Sequence, residues 1–379
     1  MTVKGTLPLP LAFRDEANEA LFEFCRLYGR KLPWRENRTP YRVWVSEVML
    51  QQTRAEVVLR YYDRFLEALP DVRALAEVAP DRLAKLWEGL GYYRRASLMR
   101  QAAIVICEKH GGEIPSDYHA LRALPGFGEY TAGAVSSFAF GLRVPAVDGN
   151  LLRVLARLFR IEDNILKPKT AKEIRALSWK MLPPPPSSFM PASAVEGEKG
   201  DGAYLPDGFA AATWNQAMME LGAQICLPNT QPRCAECPLS AYCTACADGC
   251  AEKLPIRESG VKRREETLTV LRVSFNGQYL VRRRADSGLL AGLYEFPNVS
   301  GALTAEEAAA RVEEMGFKVI RLEPLSDARH IFTHITWHLH GYHIEVVPPK
   351  ALLGGLVASS RERLESDYSI PSAFRAYRP

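Results

Sequence analysis

The chain has 379 residues, 47% of them hydrophobic, and a formal net charge of +4. This length predicts two or three domains rather than one core, and the small positive charge permits a nucleic-acid partner without requiring one. No run approaches the roughly 20 apolar residues of a membrane helix, and the first residues lack a signal or transit pattern. We therefore expect no membrane partner and a cytoplasmic, nucleoid-associated location.

The first part of the chain, to about residue 243, is predicted to be helical. Apolar residues recur at three- and four-residue spacing in RVWVSEVMLQQTRAEVVLRYYDRFLEAL and in NLLRVLARLFRI. Gly111 and Gly112 stand where a helix C-cap belongs. Basic residues cluster at Arg94 and Arg95, at Arg153, Arg157 and Arg160, and at Lys167, Lys169 and Lys172. Solvated helix faces are the usual explanation of such clusters, and DNA contact is the alternative.

Two carboxylates stand in contrasting surroundings. Glu47, in VWVSEVMLQQT, has mostly apolar helical neighbours, which would raise its pKa and keep it protonated. Asp148, in VPAVDGNLLRVLARLF, directly precedes a helix, where backbone N–H groups and the dipole favour the charged form. An acid paired with an anion suits cleavage through an oxocarbenium-like state. A salt-bridged helical glutamate and an ordinary N-cap aspartate are the alternatives.

A glycine turn lies between these carboxylates, in LPGFGEYTAGA at residues 124–134. Gly126 and Gly128 would expose backbone N–H groups at a helix N-terminus, where a phosphate can bind. A Cβ there would block close approach of a DNA backbone. A purely structural helix–helix turn is the alternative.

The next stretches differ in composition. Residues 183–209 are rich in proline, serine, glycine and mixed charges, which predicts a surface insertion between two helices.

Six of the eight cysteines then fall between Cys226 and Cys250. Cys226, Cys234, Cys237 and Cys243 could hold zinc or an iron–sulfur cluster. A single C-x₂-C pair followed by a five-residue gap favours the 4Fe–4S cluster over zinc.

A second, α/β domain is predicted from about residue 266. TLTVLRVSF and QYLVRRR are β-rich runs joined by Asn276-Gly277, a strong hairpin signal. TAEEAAARVEEMG is a helix that begins with a capping box of Thr304 and Glu307 and ends at Gly316. HITWHLHGYHIEVV returns to a strand pattern.

These stretches together resemble a known family. LPGFGEYTAGAV, VDGN and the Cys226–Cys243 loop resemble the helix-hairpin-helix, iron–sulfur DNA glycosylase superfamily. LPWR, SEVMLQQTR, WEGLGYYRRA, AVDGN and NQAMMELGA resemble its adenine DNA glycosylases, and GLLAGLYEFP and HIFTH resemble their Nudix-like domain. The implied organisation is a mostly α helix-hairpin-helix glycosylase domain at 8–225, a cluster loop at 226–243, a linker at 244–265 and a Nudix-like α/β domain at 266–379.

The resemblance implies a monomeric DNA repair enzyme that removes adenine mispaired with 8-oxoguanine or guanine in double-stranded DNA. The adenosine leaves the base stack and enters a pocket. Glu47 would protonate adenine N7, and Asp148 would stabilise the sugar cation. The related endonuclease III carries a lysine where this chain has Tyr130. Because a phenol cannot form an imine, we expect base removal without strand cleavage, with Tyr130 shaping the sugar site.

Motif matches extend to recognition and cofactor residues. The adenine pocket would be lined by Arg30, Leu32, Trp34 and Gln216. The residues that would probe, wedge or contact the DNA helix are Leu50, Gln51, Gln52, Tyr92, Gly126, Gly128 and Asn150. Opposite-base recognition would fall to Phe332, Thr333 and His334, and the 4Fe–4S ligands would be Cys226, Cys234, Cys237 and Cys243.

The chain departs from the family pattern at several places. Seven residues separate Cys226 from Cys234, one more than the family usually has, and Cys246 and Cys250 are extra thiols. Thr333 stands where the family supplies a serine. Only Glu313 and Glu314 remain of the glutamate run that holds Mg²⁺ in Nudix hydrolases, so we expect no such hydrolase activity.

Three other functions are alternatives to this one. An endonuclease III-like glycosylase and lyase acting on damaged pyrimidines is disfavoured by Tyr130 and by the C-terminal domain. A non-catalytic DNA-binding protein would tolerate loss of Glu47 or Asp148, and both are present. A Nudix hydrolase tethered to DNA is disfavoured by the incomplete metal motif.

Overall fold

The computed structural model describes residues 11–184, 210–258, 263–352 and 354–379. The chain divides into a helical unit, from Met1–Ala76 and Gln101–Ser259, and a sheet unit, from Glu77–Arg100 and Gly260–Pro379. Apart from its first two residues, the predicted insertion at 183–209 lies outside the described residues. The predicted domain boundaries stay predictions.

Helices carry the first part of the chain, as the apolar spacing predicts. They are α1 (Leu11–Tyr28), α2 (Pro33–Glu36), α3 (Pro40–Leu50), α4 (Ala55–Val58), α5 (Tyr62–Ala68), α6 (Val72–Glu77), α7 (Pro80–Leu86), α8 (Arg94–His110), α9 (Tyr118–Arg122), α10 (Glu129–Phe140), α11 (Gly149–Leu158), α12 (Pro168–Met181), α13 (Ala210–Gln224) and α14 (Thr244–Ala247). Gly111 follows α8 with a φ of +64°, so the predicted glycine C-cap is confirmed. None of the helices in the described residues is both long and apolar enough to cross a bilayer.

One core of the helical unit is formed where α1, α11, α12 and α13 pack together. In α11, Leu151, Val154, Leu155 and Leu158 are buried, and their spacing is that of one helix face. Trp214 of α13 is fully buried in the same core. This packing holds the N-terminus of α11 in place, which is where Asp148 lies.

The sheet unit is built on one mixed sheet. Its elements are β1 (Arg264–Phe275), β2 (Gln278–Arg283), β3 (Tyr294–Glu295), β4 (Asn298–Ser300), α15 (Ala305–Glu314), β5 (Val319–Ile331), β6 (Ile335–Val346), β7 (Leu356–Ser360) and α16 (Arg361–Ser366). The main strand order is β3-β2-β1-β6-β5, with β4 paired to β1 and β7 to β2. The β1–β6 pair is parallel, whereas the other pairs are antiparallel.

Successive residues of the central strands face opposite cores. Val270 packs with Trp337 and Phe374 on one face, and Leu271 packs with Val312 of α15 on the other. Two local predictions for this unit are confirmed. Asn276 and Gly277, which both have a positive φ, close the β1–β2 hairpin. Thr304 and Glu307 form the capping box of α15.

The sheet unit also contains the chain segment from 77 to 100. The Ser369 hydroxyl donates to the backbone oxygen of Ala84 in α7 at 3.2 Å. Lys85 Nζ donates to the backbone oxygen of Tyr368 at the same distance. This packing places Tyr92, which follows α7, in the same unit as the turn between β5 and β6.

Candidate active site

Glu47 is a buried carboxyl group on α3. Its side chain is only 5% exposed, and the Tyr130 hydroxyl donates a hydrogen bond to its Oε2. Burial raises the pKa of Glu47 to about 7; the charge of Asp148 adds to the rise, and Tyr130 and Arg35 oppose it. The predicted rise of the Glu47 pKa is therefore confirmed, and the group can hold a proton near neutral pH.

Tyr130 lies in the first turn of α10, directly after the glycine turn. Burial raises its pKa well above the ordinary value, and the neighbouring Glu47 and Asp148 carboxylates raise it further. The phenol therefore stays protonated and acts as a donor. Its hydrogen bond fixes one oxygen of Glu47 and brings the two residues together across 83 positions of sequence.

Asp148 is the N-cap of α11, as predicted. Its Oδ1 accepts from the backbone N–H of Leu151 at 2.8 Å, and its Oδ2 accepts from the Asn150 amide at 2.6 Å. As expected, the N–H groups of the helix start favour the charged form of Asp148, but burial, which the sequence did not show, outweighs them. Burial raises the pKa of Asp148, and the donors from Leu151 and Asn150 only oppose that rise. The local sequence pattern predicts that Asp148 caps α11, whereas the burial of Asp148 comes from distant parts of the chain.

A chain of hydrogen bonds runs from Asp148 to the cysteine loop. Asn150, which donates to Asp148, accepts from Arg153 Nη2 at 2.8 Å, and Arg153 Nε donates to the backbone oxygen of Cys226 at 2.7 Å. Arg153 is 7% exposed and Arg157 is 3% exposed. The prediction that these two arginines lie on a solvated helix face is therefore wrong, because both are buried and donate to backbone carbonyls.

The glycine turn between α9 and α10 has the conformation that glycine favours. Gly126 has a φ of +76°, and Gly128 is the N-cap of α10. The ring of Phe127 packs against Trp44, with 5.2 Å between ring centroids. A Cβ added at Gly128 would meet no atom within 4 Å. The turn thus leaves space at the start of α10, where the sequence predicts a phosphate.

The predicted probe residues follow α3. Gln51 donates to the Thr131 hydroxyl at 3.0 Å, whereas Gln52 is exposed. Gln52 has a φ of +55°, a conformation that side-chain-bearing residues rarely adopt. Such strain persists only where the surrounding fold enforces it, and it is concentrated at functional sites. Leu50, the last residue of α3, is partly exposed beside them.

The four predicted cluster ligands line one cavity. Its wall includes Cys226, Cys234, Cys237 and Cys243, and Cys246 as a fifth thiol. In the part of the chain that the structure describes, no three His, Cys, Asp or Glu side chains stand close enough to hold a single metal ion. The five thiols instead lie around the wall of the cavity. Arg157 Nη1 lies 3.2 Å from Cys226 Sγ and would offset negative charge there.

The turn between β5 and β6 holds the three predicted opposite-base residues. The ring of Phe332 packs edge-on against Trp337, with 4.9 Å between centroids, while Thr333 and His334 are exposed. The Thr333 hydroxyl is 3.2 Å from the hydroxyl of Tyr92, which is 50% exposed and has a φ of +47°. The predicted wedge and the predicted reader are therefore neighbours within the sheet unit.

Comparison with known proteins identifies the family. Residues 45–184 match the HhH-GPD superfamily of base excision DNA repair proteins, and residues 269–378 match the NUDIX domain. The adenine DNA glycosylase of Homo sapiens is 30% identical, over 89% of this chain and 71% of the human one. The chain belongs to the adenine DNA glycosylase family. It is an enzyme, a DNA N-glycosylase of base excision repair.

Further relatives fit this assignment. The adenine DNA glycosylase of Arabidopsis thaliana is 32% identical, and the match covers 83% of this chain but 55% of the plant protein. A solved thermostable thymine-DNA glycosylase is 26% identical, with a TM-score of 0.52, over 62% of this chain and 98% of that one. The predicted fold class is thereby confirmed, and the adenine-specific function is favoured over the endonuclease III-like alternative.

The sequence patterns did not point to Glu220. Glu220, on α13, is fully buried and accepts two hydrogen bonds from the Arg30 guanidinium, each 2.9 Å long, and one of 2.6 Å from Arg35. Burial raises its pKa, but the two arginines outweigh burial and hold it below the usual value. The signal was visible, since Glu220 is the one charged residue of NQAMMELGA.

The network of Glu220 includes one residue predicted to line the adenine pocket and lies close to another. It fixes Arg30, and it lies one helical turn from Gln216, which accepts from Arg38 at 3.2 Å. Leu32 and Trp34 are buried nearby in the chain, and the Trp34 ring packs edge-on against Tyr62. Of the four predicted pocket residues, Arg30 and Gln216 therefore have polar partners, and Leu32 and Trp34 supply apolar surface.

We predict that Glu220→Gln destabilises the protein by about 3 kcal/mol, because it leaves Arg30 and Arg35 without their buried counter-charge. Urea unfolding at neutral pH measures the effect. The matched control is Glu23→Gln, which breaks the exposed Glu23–Arg26 pair and should leave the unfolding transition nearly unchanged, because solvent screens an exposed ion pair. Equal, small losses for both variants would show that the Glu220 network contributes no special stability.

Proposed function

We propose that this protein hydrolyses the N-glycosidic bond of adenine paired with 8-oxoguanine or guanine in double-stranded DNA, without cutting the strand. The observation that carries the proposal is the arrangement of Glu47, Tyr130 and Asp148. A carboxyl group with a pKa of about 7 lies within electrostatic reach of a second carboxyl, and a tyrosine joins the site where a lyase would need an amine.

Each residue has a step that its surroundings support. Glu47, protonated near neutral pH, donates its proton to adenine N7, so the base departs as a neutral molecule. The glycosidic bond breaks with its electron pair going to the base, which leaves positive charge on the sugar. Asp148 in its charged form stabilises that cation, and water then adds at C1′ and loses its proton to a carboxylate.

Asp148 must be ionised while Glu47 is protonated. In the free protein, burial raises the pKa of both groups, and the charge of Asp148 raises the pKa of Glu47 further. The backbone N–H of Leu151 and the Asn150 amide donate to Asp148 and not to Glu47. These donors support the assignment of the negative charge to Asp148 and of the proton to Glu47.

We propose that the cysteine loop holds a 4Fe–4S cluster. Four thiols spaced around one cavity, with a buried arginine at Cys226, suit a group larger than a single ion. When bound, the cluster would order residues 226–243 through iron–thiolate bonds. Arg153, which donates to the Cys226 carbonyl and to Asn150, would connect that order to Asp148. The monomeric state and the cytoplasmic location stay predictions.

We propose that the sheet unit reads the base opposite adenine. Adenine is a normal base, so its pocket alone cannot identify damage. 8-Oxoguanine differs from guanine by a donor at N7 and a carbonyl at C8, and a hydroxyl can accept from the new donor. Thr333 is exposed, lies in a tight turn anchored by Phe332, and stands beside the Tyr92 hydroxyl.

Adenine release should require protonated Glu47. Under single-turnover conditions with an A·8-oxoguanine duplex, the wild-type rate should fall as pH rises through about 7, because ionisation removes the acid. Glu47→Gln should lose about 10²–10⁴-fold in rate while still binding the duplex. The exposed carboxylate variant Glu67→Gln serves as control and should keep the wild-type rate and profile. A Glu47→Gln enzyme with near-normal release would refute the assigned role.

Strand cleavage should need added alkali or heat. No imine can form on the Tyr130 phenol, so borohydride added during turnover should trap no more covalent protein–DNA adduct than it does with the inactive Glu47→Gln variant. Gel electrophoresis of the labelled duplex measures both the nick and the adduct. Efficient trapping would contradict a glycosylase that lacks lyase activity.

Discrimination between 8-oxoguanine and guanine should depend on the Thr333 hydroxyl. Losing one hydrogen bond costs about 1–1.5 kcal/mol, so Thr333→Val should reduce the ratio of single-turnover rates on A·8-oxoguanine and A·G by about tenfold. Thr333→Ser retains the hydroxyl and should preserve the ratio. Tyr92→Phe removes only the neighbouring phenolic hydroxyl and should preserve most of the ratio. If Tyr92→Phe lowers the ratio and Thr333→Val does not, Tyr92 is the reader.

A further inference from the structure

Gln216, which is predicted to line the adenine pocket, is an amide held at both of its ends. Its side chain is 3% exposed. Arg38, between α2 and α3, donates from Nη2 to Gln216 Oε1 at 3.2 Å, and Gln216 Nε2 donates to the sulfur of Cys25 on α1 at 3.8 Å. The partners at the two ends come from different parts of the helical unit, so the packing of that unit gives the amide one orientation.

Arg38 is the partner that decides this orientation. A guanidinium has only donors, so it can bind the oxygen end of an amide but not the nitrogen end. Its Nε donates to the backbone oxygen of Arg35 at 2.8 Å, which anchors the group. Burial and the charge of Arg35 lower the pKa of Arg38 to about 10, so Arg38 stays charged at neutral pH and its hydrogen bond to Gln216 is charge-assisted. Turning the amide over would place donors against donors.

Cys25, at the other end of the amide, is compatible with either orientation. It is 1% exposed, and burial raises the pKa of its thiol, so the sulfur keeps its proton. A thiol is both a weak donor and a weak acceptor. Cys25 would therefore contact the nitrogen or the oxygen of the amide, and the choice between them rests with Arg38.

We propose that Arg38 is a positioning residue for base specificity, which acts by fixing the amide of Gln216 in one orientation toward the base in the pocket. The inference rests on the proposed function, in which adenine enters the pocket that Gln216 lines. Adenine has an amino donor at C6, where hypoxanthine has a carbonyl acceptor. An amide that is free to turn over can complement either group, whereas a fixed amide complements only one. Arg38 thereby favours release of the 6-amino purine over the 6-oxo purine.

The test is the ratio of single-turnover rates of the full-length protein on two duplexes, with adenine or hypoxanthine opposite 8-oxoguanine. Arg38→Gln keeps a polar partner that can accept as well as donate, so the amide of Gln216 can turn over and the ratio should fall by about tenfold. Arg38→Lys has only donors and should preserve the ratio. Gln216→Met should lower the ratio at least as far as Arg38→Gln does. Adding Arg38→Gln to Gln216→Met should change the ratio no further, because no amide is left to orient.

The matched control is Arg26→Gln, which removes an exposed arginine of the same unit and should keep the wild-type ratio. Arg38→Met gives a second test should Arg38→Gln not fold. Equal losses of both rates in the Arg38 variants, with the ratio unchanged, would overturn the inference, because Arg38 would then only support the fold. A wild-type ratio in Gln216→Met would also overturn it and leave the proposed function standing. A wild type that releases no adenine would overturn the proposed function and the inference together.

Discussion

The burial of one carboxyl group, that of Glu47, is the constraint on which the candidate site depends. Water cannot stabilise the charged form of a group that is 5% exposed, so its pKa rises to about 7. The group is then an acid at neutral pH, and its conjugate base is still accessible. Because the folded pKa lies above that of the unfolded chain, the stabilising contribution of Glu47 falls as pH rises from about 4.5 through about 7.

The fold keeps Asp148 close to this acid by tight packing behind both groups. A Cβ added at Gly133 of α10 would lie 2.4 Å from the Pro145 carbonyl oxygen, so the chain leading to Asp148 can approach α10 only because residue 133 is glycine. Asn215 of α13 accepts from the Ala146 N–H at 2.9 Å and fixes the same segment. The positions of the two candidate catalytic carboxyl groups therefore depend on a small residue and a buried amide outside the pair.

Features that depend on local sequence could be predicted, and features that depend on distant packing could not. The caps at Asp148 and Thr304 and the Asn276-Gly277 turn follow from a few neighbouring residues, and all three form as expected. The rise of the Asp148 pKa was not predicted, because the burial that causes it comes from the tertiary fold. Arg153 and Arg157 were placed in solvent because their pattern resembles an exposed face, whereas they bond to carbonyls of the cysteine loop and beyond.

Contacts between residues far apart in sequence were beyond any local pattern. Tyr92 and Thr333 meet across 241 positions, and Glu220 meets Arg30 across 190. Family resemblance named most of these residues one by one but did not show which of them touch. The structure adds those pairings. Thr333, proposed to read the opposite base, contacts Tyr92, and Arg30, predicted to line the adenine pocket, pairs with the buried Glu220.

The most direct measurement of the central claim is the pKa of Glu47 itself. Infrared difference spectra of the wild type and Glu47→Gln, recorded across a pH titration of the free protein, isolate the carbonyl band of this one protonated carboxyl group. The account predicts that the band persists at mildly acidic pH and disappears with a midpoint near 7. A midpoint near the ordinary glutamate value of 4.5 would contradict it, because Glu47 would then be ionised at neutral pH and could not serve as the acid.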